Sequence, residues 1–235
     1  MDMKRIALLA LLAVAAPASA ASAAPRQVGS MTFTSTKPGS VTGNVLHVEF
    51  QNPADPNAKP YAVYQMVIHK PAGTINDTSV PPQCHATDAE IYLLGPSACP
   101  ADAQIGSGLA EADQGPGADP RYSYTDLTHF NNQDEVVGIG VNREIPAIKT
   151  IDRTKLEGDT TTSTFPLFPG VPPPEPYTPV KQLDIAFPPY ERDGRAYALT
   201  PRTCPKAGYW TFTIDFVYRD GVTQSLQSRS PCSKR

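Results

Sequence analysis

Residues Tyr209–Gly221 read YWTFTIDFVYRDG, and their alternation decides the fold class. Trp210, Phe212, Ile214, Phe216 and Tyr218 take every second position, while Thr211, Thr213, Asp215 and Arg219 take most of the others. A period of two describes a strand with one buried face and one wet face. Burying each large apolar side chain is worth about 1.5–3 kcal/mol, so Trp210, Phe212, Ile214 and Phe216 are assigned to a core rather than to an exposed aromatic stripe. Asp220-Gly221 then signals a turn. A two-residue loop would set the aromatic positions opposite Thr223, Ser225 and Gln227. A three-residue loop, Arg219 to Gly221 with Gly221 left-handed, sets Ile214 opposite Leu226 and Tyr218 opposite Val222, and brings Cys232 to Gly208. Parity therefore predicts the second register.

That hairpin ends in cysteines, and the N-terminus says where cysteines of this chain reside. Lys4 and Arg5 precede the apolar run Ile6 to Ala16 and a small-residue exit through Ala18, Ala20 and Ala23. This is the form of a secretory signal peptide, expected over residues 1–23 with cleavage near Ala20 to Ala24. The run falls short of the roughly 20 apolar residues a membrane-spanning helix needs, so no membrane span is expected and the chain is read as secreted. The remainder, 24–235, is read as one domain. Cleavage removes Asp2, Lys4 and Arg5, a net +1, and takes the formal charge from −3 to −4. A weakly acidic chain without basic clusters does not suit nucleic acid or an anionic membrane surface.

Cys84, Cys99, Cys204 and Cys232 are the only cysteines. An even number in an exported chain reads as two disulfides, for which three pairings exist. The pairing expected is Cys84–Cys99 and Cys204–Cys232, because each pair brackets a compact local unit. Neither C-x-x-C nor paired histidine spacing supports a zinc site instead.

Short alternating runs separated by turn residues continue along the chain: Leu46, Val48, Phe50; Val137, Ile139, Val141; Leu183, Ile185, Phe187. Tyr61 to His69 is nearly all apolar and reads as a central strand buried on both faces. Thr87-Asp88-Ala89-Glu90 has the form of a capping box and opens one short helix, stopped at Gly95-Pro96 inside the Cys84–Cys99 loop, with a strand as the alternative. Phe165 to Pro179 carries seven of the chain's 26 prolines and reads as an extended polyproline connection, with a docking peptide as the alternative. The fold expected is mainly β: an antiparallel β-sandwich with long Pro-rich loops and at most one or two short helices.

Catalytic constellations are missing. Ile105-Gly106-Ser107-Gly108 is not a nucleophile elbow, and no H-E-x-x-H, Walker or dinucleotide motif occurs. His47, His69, His85 and His129 are dispersed and read as ordinary surface residues, so no catalytic residue is assigned and no cofactor is expected. The acidic stretch Glu111 to Asp119 offers Glu111, Asp113 and Asp119 as candidate Ca²⁺ ligands, against the plainer reading of a solvated turn. Tyr61, Tyr64, Tyr122, Tyr124, Tyr177 and Tyr190 serve equally as sheet residues or as sugar-stacking platforms. Asn76-Asp77-Thr78 is an N-glycosylation sequon, expected unmodified behind a bacterial-looking leader.

Two segments resemble a known pattern: Cys84-His85-Ala86-Thr87-Asp88-Ala89 leading to Ala98-Cys99-Pro100 and Ile105-Gly106-Ser107-Gly108, and Thr200-Pro201-Arg202-Thr203-Cys204-Pro205 with Trp210, Asp220-Gly221 and Ser230-Pro231-Cys232. Together they resemble an uncharacterised family of exported actinobacterial proteins. The resemblance implies a secreted, disulfide-bonded β fold and carries no activity. The expected function is a non-catalytic envelope or extracellular binding or structural protein, whose partner would be a cell-envelope component or polysaccharide. The alternative is a secreted carbohydrate-active hydrolase using carboxylates such as Asp113 or Asp119.

Overall fold

The computed structural model describes residues 24–165 and 178–233. Residues 1–23, expected to be a leader, and all but the ends of the Pro-rich segment lie outside the described residues. In chain order the strands are β1 (Gln27–Phe33), β2 (Asn44–Phe50), β3 (Val63–His69), β4 (Ile75–Asn76), β5 (Gln104–Asp113), β6 (Tyr122–Asn132), β7 (Glu135–Asn142), β8 (Lys149–Glu157), β9 (Thr160–Thr164), β10 (Val180–Phe187), β11 (Glu191–Arg192), β12 (Arg195–Ala196), β13 (Ala198–Leu199), β14 (Tyr209–Tyr218) and β15 (Thr223–Pro231). Helix α1 (Asp88–Leu94) stands between β4 and β5.

Eleven strands form one antiparallel sheet in the order β1-β2-β10-β5-β6-β7-β8-β9-β3-β14-β15. The expected antiparallel β architecture is present, and its layers belong to a single sheet that curls until its two ends meet. The seam between β1 and β15 is made largely by β15 side chains. The Met31 amide donates to Ser228 Oγ at 2.8 Å, and the same hydroxyl donates to the Met31 carbonyl at 2.8 Å. The Phe33 amide donates to Ser230 Oγ at 2.9 Å, and the Arg26 amide to Gln224 Oε1 at 2.8 Å. A direct backbone bond from Ser233 N to Thr36 O closes the far end at 2.8 Å. The sheet is thus nearly a barrel, and serine hydroxyls satisfy edge groups that would otherwise be buried without partners.

The β14–β15 hairpin adopts the three-residue loop. Ile214 pairs with Leu226 and Val217 with Thr223. The Tyr218 amide bonds to Val222 O, and Gly221 has φ 84°. Trp210, Phe212, Ile214 and Phe216 are buried in the main core with Phe33, Leu46, Val48 and Phe50. Both expected disulfides form, Cys84–Cys99 and Cys204–Cys232, and the Cys232 amide reaches Gly208 O.

Helix α1 has the expected capping box: Thr87 Oγ1 accepts from the Glu90 amide, and Glu90 Oε2 accepts from the Thr87 amide. The helix buries Ile91 alongside Cys84, Cys99, Phe130, Val137 and Ile139. Arg153 of β8 holds its start, donating to Asp88 Oδ1 and the Ala86 carbonyl. The alternation of β7 therefore serves two layers. Val137 and Ile139 face the disulfide-stapled helix, and Gly138 and Gly140 face the interior of the curled sheet.

Two readings change. The β3 run is buried on one face only: Val63, Met66 and Ile68 are buried, whereas Tyr64 is 43% exposed. Apolar composition alone did not distinguish a two-sided strand from a one-sided one carrying an exposed tyrosine. The acidic stretch is not a loop throughout, because β5 continues to Asp113, where pairing with Tyr122 of β6 holds the backbone extended.

Candidate functional site

The interior of the sheet is filled unevenly. Aromatic side chains from β1, β2 and β14 pack one sector, with the Phe33 ring 5.5 Å from Trp210 and 4.8 Å from Phe212. Across the barrel, β5 to β9 turn small side chains inward, among them Ala110, Ala112, Thr125, Gly138, Gly140 and Thr150. Where Phe187 and Ile185 lie over Gly106 and Gly108, no room exists for a β-carbon. Elsewhere the small residues leave a cavity of about 530 Å³. Such a volume lies within the roughly 300–1,000 Å³ of small-molecule sites. Eight-stranded barrels are just wide enough to fill with side chains or to hold one small ligand, and the diameter grows with strand number. An eleven-stranded sheet closing on itself leaves space accordingly.

The cavity has two unlike ends. At the β7–β8 connection its wall includes Glu144, Ile145 and Ile148. Ile145 is 54% exposed and Ile148 46% exposed, which makes this the open end. At the other end the wall includes Lys70, Asn76, His129, Asp152 and Tyr197. Lys70, His129 and Tyr197 are all buried there.

His129 corrects a sequence expectation. Its neighbours Asp126 and Asn131 suggested a surface position, yet strand parity places it with Thr125 and Leu127 on the inward face. Its ring packs on Phe187 at 5.1 Å, and Nδ1 has no hydrogen-bond partner among the described residues. Burial alone pulls its pKa down to about 4. Gly138 stands between His129 and Asp152, close to both. Burial raises the Asp152 carboxyl, opposed by hydrogen bonds from Thr154, the Thr164 backbone and Ser163. Lys70 donates from Nζ to Asn76 Oδ1 at 2.6 Å. Burial pulls its pKa down to about 8, opposed only by the charge of Asp159. The sequon asparagine is thus committed to a contact at the closed end.

The candidate calcium ligands are not gathered. Asp113 is buried with its carboxylate bound to Arg121 Nε and Nη2 at 3.0 and 2.8 Å. Glu111 accepts from Lys181 Nζ at 2.9 Å, and Asp119 is exposed in the following turn. Among the described residues no three His, Cys, Asp or Glu side chains are grouped to hold a metal. Asp113 and Asp119 are also outside the cavity wall. Of the noted tyrosines, Tyr61 stacks under the Arg26 guanidinium at 3.6 Å and Tyr122 lies beside Lys181 at 4.4 Å. Tyr177 lies outside the described residues. His47 does sit on the outer face, bonded to Asp184 at 2.6 Å, and that contact raises its pKa.

Comparison with protein-family models, curated proteins and solved structures finds no match to this chain. The site is therefore argued from its own geometry. What sequence reading missed is the lumen, and the available signal was parity: Met66, Ile68 and Lys70 share one face, as do Thr125, Leu127 and His129.

The neutral, buried His129 predicts a pH dependence. An unfolded histidine titrates near 6.5, the folded one near 4, so between these values the unfolded chain binds more protons and stability falls as the pH falls. The full loss is about 3 kcal/mol. Asp152, raised in the folded state from 3.8, acts with the opposite sign from that value upward. The stability difference between wild type and His129→Leu isolates the histidine. In urea unfolding, wild type is expected to lose its advantage progressively below pH 6.5. A difference independent of pH contradicts the buried neutral assignment.

Proposed function

We propose that this chain is an exported binding protein that carries a small, mainly apolar ligand in the lumen of its curled sheet. The observation that carries the reading is the cavity of about 530 Å³, walled by small and apolar side chains and open at the Ile145–Ile148 end. A sheet core without a ligand role is expected to be packed to the density of organic crystals, and here one sector is packed while the facing one is lined by Gly, Ala and Thr. Export is supported by the leader and by two disulfides, which persist in oxidising compartments. No helix among the described residues is long and apolar enough to cross a membrane. The envelope or extracellular setting inferred from the leader is where such a ligand would be met. The positions of Asp113 and Asp119 give no support to a hydrolase that works through them.

Decanol is a suitable probe, with an apolar body and a small polar end. Calorimetric titration is expected to show one site per chain with a negative heat-capacity change, the mark of apolar burial. Absence of binding heat at several temperatures, together with an unchanged melting temperature, contradicts the reading.

A further inference from the structure

Resting on that reading, we propose that the ligand is an amphiphile with a single anionic head of carboxylate class, seated at the closed end of the lumen against Lys70. Lys70 follows β3 directly, and the strand's inward parity carries it into the cavity wall with Met66 and Ile68. It is only 8% exposed. An ammonium has three donors; one goes to Asn76 Oδ1, while the charge of Asp159 acts on Lys70 without a hydrogen bond to its ammonium among the described residues. A buried cation with no counter-charge in contact is costly. An anion entering the lumen supplies that counter-charge and takes the remaining donors.

A second observation lies at the same end. His129, also buried, lines the wall with Nδ1 unpartnered among the described residues. Two buried nitrogen-bearing side chains thus stand in one cavity with hydrogen-bonding capacity unused. Asp152, a carboxyl in the cavity wall at that end, is differently placed. Hydroxyls of Thr154 and Ser163 already serve it, and burial favours its protonated form. Those hydroxyls already satisfy it, so it does not demand a cationic ligand.

The charge count selects the head. Lys70 is the one ammonium in the wall among the described residues and Asp159 already acts on it, so a compact monoanion fits where a dianion would leave a charge uncompensated in a dry site. The shape selects the body. From the closed end toward Ile145 and Ile148 the wall is largely apolar or small, with Leu46, Ile68, Leu127 and Ile185 along it and Asn44, Gln114 and Asn142 among its polar members. An alkyl chain meets apolar side chains along most of that wall, where Asn44 Oδ1 is a buried polar atom without a partner among the described residues.

The test compares decanoate with decanol by calorimetry, at a pH below the Lys70 value of about 8. Hydrogen bonds to charged groups contribute about 1.5–3 kcal/mol, so wild type is expected to prefer decanoate roughly ten- to hundredfold. Lys70→Met, similar in length and unbranched, is expected to lose that preference while still binding decanol, and Lys70→Arg to keep it. The preference in wild type is also expected to decline as the pH rises through about 8. Of the groups facing this end, Lys70 has its value there; His129 is neutral above about 4, burial raises Tyr197, and the carboxyls that face it are Asp159 and Asp152. That wild-type profile stands even if Lys70→Met does not fold. Equal binding of decanol and decanoate, or a preference unchanged in Lys70→Met, overturns the head assignment alone. Binding of neither overturns the lumen reading with it.

Discussion

Trp210→Ala is expected to destabilise the protein by about 3–5 kcal/mol, the cost of deleting a fully packed tryptophan. Trp210 is 2% exposed and packs edge-on against Phe33. Its indole Nε1 donates to the Thr203 carbonyl at 2.9 Å. Thr203 immediately precedes Cys204, so the indole also fixes the segment from which the Cys204–Cys232 bridge departs. Truncation therefore removes aromatic packing, opens a cavity and strands a carbonyl. Trp210→Phe keeps most of the ring packing and is expected to lose about 1–2 kcal/mol, chiefly for the unpaired carbonyl. Chemical denaturation of both variants checks the order. Stability like wild type in Trp210→Ala contradicts a core position for this face.

A loss of similar size is expected at the seam. Ser228 is 5% exposed and Ser230 fully buried, and their hydroxyls satisfy the Met31 amide, the Met31 carbonyl and the Phe33 amide. Stranding a buried backbone group costs about 1–3 kcal/mol. Ser228→Ala with Ser230→Ala leaves three such groups without partners and is expected to cost roughly 3–6 kcal/mol. Hydrogen exchange should accelerate first at the Met31 and Phe33 amides. The contrary outcome is informative in its own right. If β1 and β15 close up into a direct ladder once the hydroxyls are gone, the loss is under about 1 kcal/mol and those amides stay protected.

What could be read from the chain is what is set locally. The register of the last hairpin followed from parity and one turn, since Gly221 adopts the left-handed conformation that a three-residue loop requires. Helix α1 followed from Thr87 and Glu90, three residues apart. The disulfides followed from cysteines that bracket single local units. The curled sheet did not follow, because it depends on β10 inserting between β2 and β5 and on β9 pairing with β3. Those partners are far apart in sequence and carry no turn between them. The site fell with the topology. Lys70 and His129 become members of one cavity only once β3 and β6 are placed in the same wall. A histidine between polar neighbours gives no local sign of burial. Glu111 and Asp113 misled for the opposite reason: clustered carboxylates look like cation ligands until Lys181 and Arg121 arrive from elsewhere in the chain.

The central claim is that the lumen is a ligand site rather than a packing defect. Titration of decanol into wild type beside two variants that fill the lumen, Ala110→Trp and Thr125→Trp, tests it most directly. Both positions line the cavity and neither belongs to the closed polar end. The account predicts one-to-one binding in wild type and its loss in each filled variant, with both variants folded by near-ultraviolet circular dichroism and at least as resistant to urea. Undiminished decanol binding in both folded, filled variants would place the ligand elsewhere and contradict the account.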